Sequence, residues 1–302
     1  MKYGFSMTKM ALLALIAGIF FVASCSKEKS QTATDEQELE VSQVSSEADA
    51  EAEGTFNEFF DDVMGVNNDV GVAGSGVFFG RTDSLSPVPR CFTITVTHPN
   101  GTPFPVVVTI DFGTTGCPGP DSRIRRGKII TEYPARLITP GAVATTSFEN
   151  FYVNDVHVEG IHKITNTSEP PAVLRRFKVQ VINGKLSKPN GNFTEWNSTK
   201  IILQVEGLGT PDFPRDDVFK IEGSGYGRVK RGSLLVRWES AITEPLIRRF
   251  TCRWIVKGRI RTTRVNLPAG SPWVAILDFG AGNCDNLATL TVNGNTRQIT
   301  LP

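Results

Sequence analysis

Five glutamates on strand-like segments are the residues of this chain with the most obvious capacity for chemistry: Glu149, Glu159, Glu206, Glu222 and Glu239. Glycoside hydrolysis needs two carboxylates, one acid and one base or nucleophile, and their separation is set by the fold and not by spacing along the chain. Three of the five stand in a recurring Glu-Gly step, at Glu159-Gly160, Glu206-Gly207 and Glu222-Gly223. The plainer account of that step is a strand end or bulge, which glycine commonly marks. His157 and His162 lie an odd number of residues apart on one strand-like run, so they point to opposite faces and do not share a metal; His98 stands apart. No Gly-x-Ser-x-Gly elbow gives a serine hydrolase a footing. Two Asp-Phe-Gly tripeptides, beginning at Asp111 and Asp278, lack the glycine-rich loop, strand lysine and catalytic loop that a kinase would need. One acid per loop is also few ligands for calcium. The expected arrangement is an aspartate accepting turn amides, a buried phenylalanine and a glycine that opens the loop. No catalytic residue, metal ligand or cofactor is nominated. Trp196, Trp238, Trp254 and Trp273, with Phe148, Phe151 and Tyr152, would stack sugars or meet a protein partner if exposed, and are core packing otherwise.

The elements that would carry these residues are almost all strands. Segments 91–98, 105–112, 128–133, 144–153, 156–165, 174–182, 193–205, 218–229, 234–238, 247–256, 273–279, 288–292 and 296–301 are rich in branched and aromatic residues, several with clean alternation. Turn signals separate them, among them Asn100-Gly101, Asn154-Asp155, Asn183-Gly184, Asn190-Gly191, Arg231-Gly232, Lys257-Gly258 and Asn293-Gly294. Short turns make consecutive strands antiparallel, and no helical segment long enough for a parallel crossover follows residue 64. Before the strands, Phe56, Phe59, Phe60 and Val63 fall at helical spacing, with Thr55 placed to cap a short helix. The expected fold is all-β: an antiparallel meander forming a large curved sheet or a β-sandwich, led in by one short helix.

A repeat spans the two ends of this β region. Asp111-Phe112-Gly113 is followed by Cys117 and, ten residues on, by Gly127; Asp278-Phe279-Gly280 is followed by Cys284 and, ten residues on, by Gly294. Each block ends in a strand and is preceded by a cysteine that opens one, Cys91 and Cys252.

At the N-terminal end, Lys2 and Lys9 precede an apolar run that ends in small residues, the order of an export signal. Phe21-Val22-Ala23-Ser24-Cys25 resembles a bacterial lipobox, which implies cleavage before Cys25 and lipid on its sulfur, an anchor that holds a protein to a membrane without spanning it. With Cys25 assigned to lipid, four cysteines remain in an oxidising compartment. Three pairings are open, and the repeat selects Cys91 with Cys117 and Cys252 with Cys284. Between Ser26 and Asp62 there are twelve acids against two lysines, whereas from Val63 onward 28 basic residues face 19 acids. The acidic stretch reads as a disordered, self-repelling tether. The basic excess reads as solvated strand faces, with attraction to anionic lipid or acidic glycans as the rival account. The expected domains are therefore a signal peptide at 1–24, an acidic tether at 25–54, and an all-β domain with a short leading helix at 55–302.

Asp83-Ser84-Leu85 resembles the short acceptor of the protein O-glycosylation system of the Bacteroidota, which implies a modification at Ser84. The Ser-Lys-Glu-Lys run after Cys25 is loosely similar to that phylum's surface-export signal. With the paired Asp-Phe-Gly…Cys blocks, the layout resembles uncharacterised all-β lipoproteins of that phylum, a resemblance that brings no activity with it. The expectation is an outer-membrane lipoprotein, on the periplasmic face or the cell surface, with a non-enzymatic binding or structural domain. Its partners would be the membrane through Cys25 and a glycan, envelope polymer or envelope protein; no motif for nucleic acid accompanies the charge. A carbohydrate-active hydrolase using paired acids and a lipid or lipopolysaccharide carrier are the alternatives.

Overall fold

The computed structural model describes residues 35–64, 91–119, 121–169, 175–210 and 214–301. Cys25 with its lipobox, and Ser84, lie outside them. One helix, α1 (Asp35–Met64), precedes β1 (Thr93–Thr97), β2 (Val106–Asp111), β3 (Cys117–Pro118), β4 (Ile124–Tyr133), β5 (Val143–Val153), β6 (Val156–Asn166) and β7 (Arg176–Ser187). The chain continues through β8 (Phe193–Glu206), β9 (Val218–Arg231), β10 (Leu234–Arg249), β11 (Lys257–Arg264), β12 (Ala275–Ala281), β13 (Leu287–Val292) and β14 (Asn295–Thr300). All fourteen strands belong to one antiparallel sheet in sequence order, with β3 paired off the main path to β4. The expected meander is therefore one open sheet and not a sandwich. No helix of the described residues is long and apolar enough to cross a membrane.

The helix departs from expectation in length. It begins at Asp35 rather than Thr55 and runs for 30 residues, so positions 35–54, assigned above to a disordered tether, are helix packed on the sheet. Thr55 caps nothing: its hydroxyl donates to the Glu51 carbonyl one turn back, 2.8 Å away, the alternative such side chains have inside a helix. The tether reading treated the acids as solvated, mutually repelling charges. Instead they meet cations from the strands and their turns: Glu38 with Arg264 at 2.5 Å, Glu51 with Lys188 at 2.8 Å, Glu53 with Lys200 at 2.9 Å and Asp61 with Arg248 at 3.0 Å. Much of the basic excess of the β region is thus turned inward against the helix.

The sheet must curl for this to happen. Glu58 is met by Arg123 and Arg125, at the start of β4, and by Arg253, in the loop after β10. At about 4.8 Å per step, the six strand steps between β4 and β10 would separate those arginines by roughly 29 Å on a flat sheet, too far to share one carboxylate. Likewise Glu47 reaches both Arg231 at the end of β9 and Arg297 on β14. The concave face wraps the helix, which is why α1 has no single apolar stripe: Ala48, Asp49, Ala52 and Glu53 on successive faces are all buried.

The core lies between helix and sheet. Phe56 stacks on Trp196, Phe59 packs on Phe148 and Phe151, and Phe60 packs on Phe177 and Phe219. A side chain at Gly184 would strike the Phe56 ring, so glycine there lets the helix seat. Asn183-Gly184, read as a hairpin turn, lies within β7 at a bulge, because the positive φ that favours Asn and Gly in turns serves a bulge as well. Lys257-Gly258 similarly opens β11. The two disulfides are Cys91–Cys117 and Cys252–Cys284, the pairing the repeat selects.

Candidate functional site

The residues proposed from sequence for chemistry do not converge. Glu149, Glu206, Glu222 and Glu239 are exposed and Glu159 is half-buried, spread over β5, β8, β9, β10 and β6. Glu149 pairs with Lys128, Glu159 lies near His157 and Lys185, and Glu222 pairs with Lys220. Of the Glu-Gly steps, Gly160 sits at a bulge and Gly207 just past the end of β8. Gly223 lies opposite the register shift in β10. His157 is stacked on Tyr152 at 4.5 Å, whereas His162 is buried against Phe59, its imidazole pushed down to about 3 by burial. Asp111 accepts the Gly113 amide at 2.8 Å and Asp278 the Gly280 amide at 2.9 Å, with Phe112 and Phe279 buried beside them. Those tripeptides are turns.

The aromatics divide. Trp196, Trp238 and Phe151 are buried under the helix. Their placement exposes a feature that strand periodicity could not reveal: Oδ1 of Asp49, buried at the middle of α1, accepts from Trp196 Nε1 at 2.9 Å, Trp238 Nε1 at 3.1 Å and Ser240 Oγ at 2.8 Å. Burial raises the Asp49 carboxyl, against the nearby charge of Lys200 and these donors. Asp62 is also buried, close to Arg125, and burial pushes its carboxyl well above the usual range. Tyr133 donates to the Val63 carbonyl at 2.9 Å and ties down the last turn of the helix.

One cavity of about 390 Å³ opens beside the middle of α1, where the curl brings distant strands near each other. Its floor is the helix face of Ala50, Gly54, Thr55 and Glu58. One wall is the β5–β6 hairpin, with Val153, Val156 and Val158, and Asn154 exposed at the rim; the other is Trp254, Ile255, Phe279 and Leu301. Arg123, Arg248 and Arg253 supply its cationic groups. Gly54 is exposed in a helix that is otherwise mostly covered, and a Cβ there would meet nothing within 4 Å. Glycine in a helix interior costs about 1 kcal/mol relative to alanine, and no neighbour at Gly54 requires it, so the cavity floor at that point is bare backbone.

The cations of the cavity crowd one another. Asp121 holds Arg123 at 2.7 Å and Arg125 at 2.8 Å; burial works to raise the Asp121 carboxyl, but its hydrogen bonds and the charge of Arg125 hold it below the usual range. Burial, with Arg125 and Arg253 beside it, pushes the Arg123 guanidinium well below the ordinary arginine value, and burial lowers Arg253 too. Arg253 lies over the Trp254 ring at 5.4 Å. The Trp254 indole N–H is buried with no acceptor among the described residues.

No protein-family model matches the chain, and no curated protein and no solved structure matches it either. The functional reading therefore rests on the site itself.

Proposed function

We propose that this chain is a lipid-anchored protein of the cell envelope whose β domain binds a small ligand, without chemistry, in the cavity beside α1. The observation that carries the reading is the cavity: apolar walls, a few convergent polar groups and a volume of about 390 Å³ are the usual form of a small-molecule site. The envelope placement rests on the lipobox around Cys25, and the two disulfides support an oxidising compartment. The buried positions of Trp196, Trp238 and Phe151 favour a ligand held inside over a glycan stacked on exposed aromatics. Valine, isoleucine, phenylalanine and leucine in the walls bring the reading toward a carrier of apolar or amphipathic molecules. Titration with N-phenyl-1-naphthylamine, a neutral apolar fluorophore, tests it. One saturable site per chain is the expected result; linear, unsaturable uptake would overturn the proposal.

A further inference from the structure

Resting on that reading, we infer that the cavity is an anion-selective amphiphile site: an acyl body fills the apolar walls while a carboxylate or phosphate sits at Arg253, Arg123 and the Trp254 indole N–H. Three observations independent of the cavity's size point this way.

The first is charge. Every acid of α1 that lines the cavity is already matched by a cation, Glu51 by Lys188, Glu53 by Lys200 and Glu58 by the arginines. Arg123, Arg125 and Arg253 crowd together around Glu58 and Asp121, with Asp62 close to Arg125. Guanidiniums held together behind apolar walls repel one another, and an incoming anion relieves that repulsion where solvent screening is weak. Arginine also presents paired N–H donors that match a carboxylate or phosphate.

The second is the Trp254 N–H. A buried donor without an acceptor is unusual enough to require an explanation, and this one belongs to a side chain that lines the cavity and lies under Arg253. An anionic oxygen in the cavity is the acceptor that both groups favour.

The third is the form of the walls. Val153, Val156, Val158, Ile255, Phe279 and Leu301 give the lining a large apolar share, and its charged and N–H groups are concentrated at Arg123, Arg253 and Trp254. A ligand with one charged end and one apolar body matches that mixed lining, and a free small anion leaves its apolar part uncovered.

Displacement of bound N-phenyl-1-naphthylamine by a matched series tests the inference: dodecanoate, dodecyl phosphate, dodecanol, dodecylammonium, acetate and inorganic phosphate. Dodecanoate and dodecyl phosphate are expected to displace the probe at concentrations at least about tenfold below dodecanol, the scale of one charge-assisted hydrogen bond. Acetate and phosphate alone should be weak. Arg253→Gln and, separately, Trp254→Phe should each shrink the preference for dodecanoate over dodecanol severalfold, read as the ratio of the two displacement constants on the same variant so that a change in probe affinity cancels; an unchanged ratio in both variants overturns the assignment of the charged end to these residues. Equal displacement by dodecanol, or stronger displacement by dodecylammonium, overturns the anion selectivity but leaves the cavity reading standing. Displacement by acetate or phosphate as strong as by dodecanoate overturns the amphiphile class. Absence of any saturable probe binding removes both readings together.

Discussion

Asp49 sits at the middle of α1 and takes three hydrogen bonds on a single oxygen. Asp49→Ala would leave two indole N–H groups and one hydroxyl buried without that acceptor. Each such group costs roughly 1–3 kcal/mol when its partner is removed. Part of the loss is offset, because burial already disfavours the charged carboxylate in the folded chain. A net destabilisation of about 3 kcal/mol follows, which for a domain of this size lowers the thermal midpoint by roughly 6–12 °C. Asp49→Asn keeps the Oδ1 acceptor and should lose no more than about 1 kcal/mol. Thermal and urea unfolding followed by tryptophan fluorescence report both changes, since two of the four tryptophans are the donors. Alanine melting within about 2 °C of wild type would refute the hydrogen-bond argument. Asparagine as damaging as alanine would shift the explanation from the acceptor to the charge facing Lys200.

Other expectations follow from the same contacts. Lys200→Met should destabilise by about 3–5 kcal/mol by leaving Glu53 buried and unpaired, and the double change Glu53→Leu with Lys200→Met should recover most of it in denaturant titration. His162 is neutral when folded, with its value depressed to about 3, so the unfolded chain takes up the extra proton below its ordinary pKa of about 6.5 and stability falls as pH drops from there toward 3. Asp62 acts in the opposite sense. Its folded value is raised, the folded chain holds the extra proton, and stability falls as pH rises from about 4 through that value. Urea midpoints between pH 4 and 7 should therefore decline less steeply on acidification in His162→Phe than in wild type, and more steeply in Asp62→Asn; the reverse ordering would contradict both assignments. Removing either disulfide by serine replacement should lower stability by roughly 3–4 kcal/mol, given loops closed by separations of 26 and 32 residues.

The meander was legible because hairpin turns and branched, partly alternating strands are local signals: segment 193–205 matches β8 (Phe193–Glu206) almost to the residue. The disulfides were legible because the two Asp-Phe-Gly blocks repeat with fixed spacing. The helix was legible only from Thr55, where Phe56, Phe59, Phe60 and Val63 give helical spacing on a greasy face. Upstream, residues such as Ser45, Ser46, Asp49 and Glu53 are polar yet buried, and a sequence pattern assigns polar residues to solvent. One signal would have found them: the acidic excess before Val63 and the basic excess after it are nearly equal and opposite. The strand β11 (Lys257–Arg264) was missed because its exposed positions are charged and its buried ones include threonine. The cavity had no sequence signature, since it exists only where the curl brings the β5–β6 hairpin toward the loop after β10.

Gly54→Leu tests the cavity as the functional site most directly. The side chain would enter open space from the floor, and leucine favours helix over glycine by up to about 1 kcal/mol. The variant should melt at or above the wild-type temperature while losing at least about tenfold in affinity for N-phenyl-1-naphthylamine. Wild-type affinity in a stable Gly54→Leu chain would show that the ligand binds elsewhere.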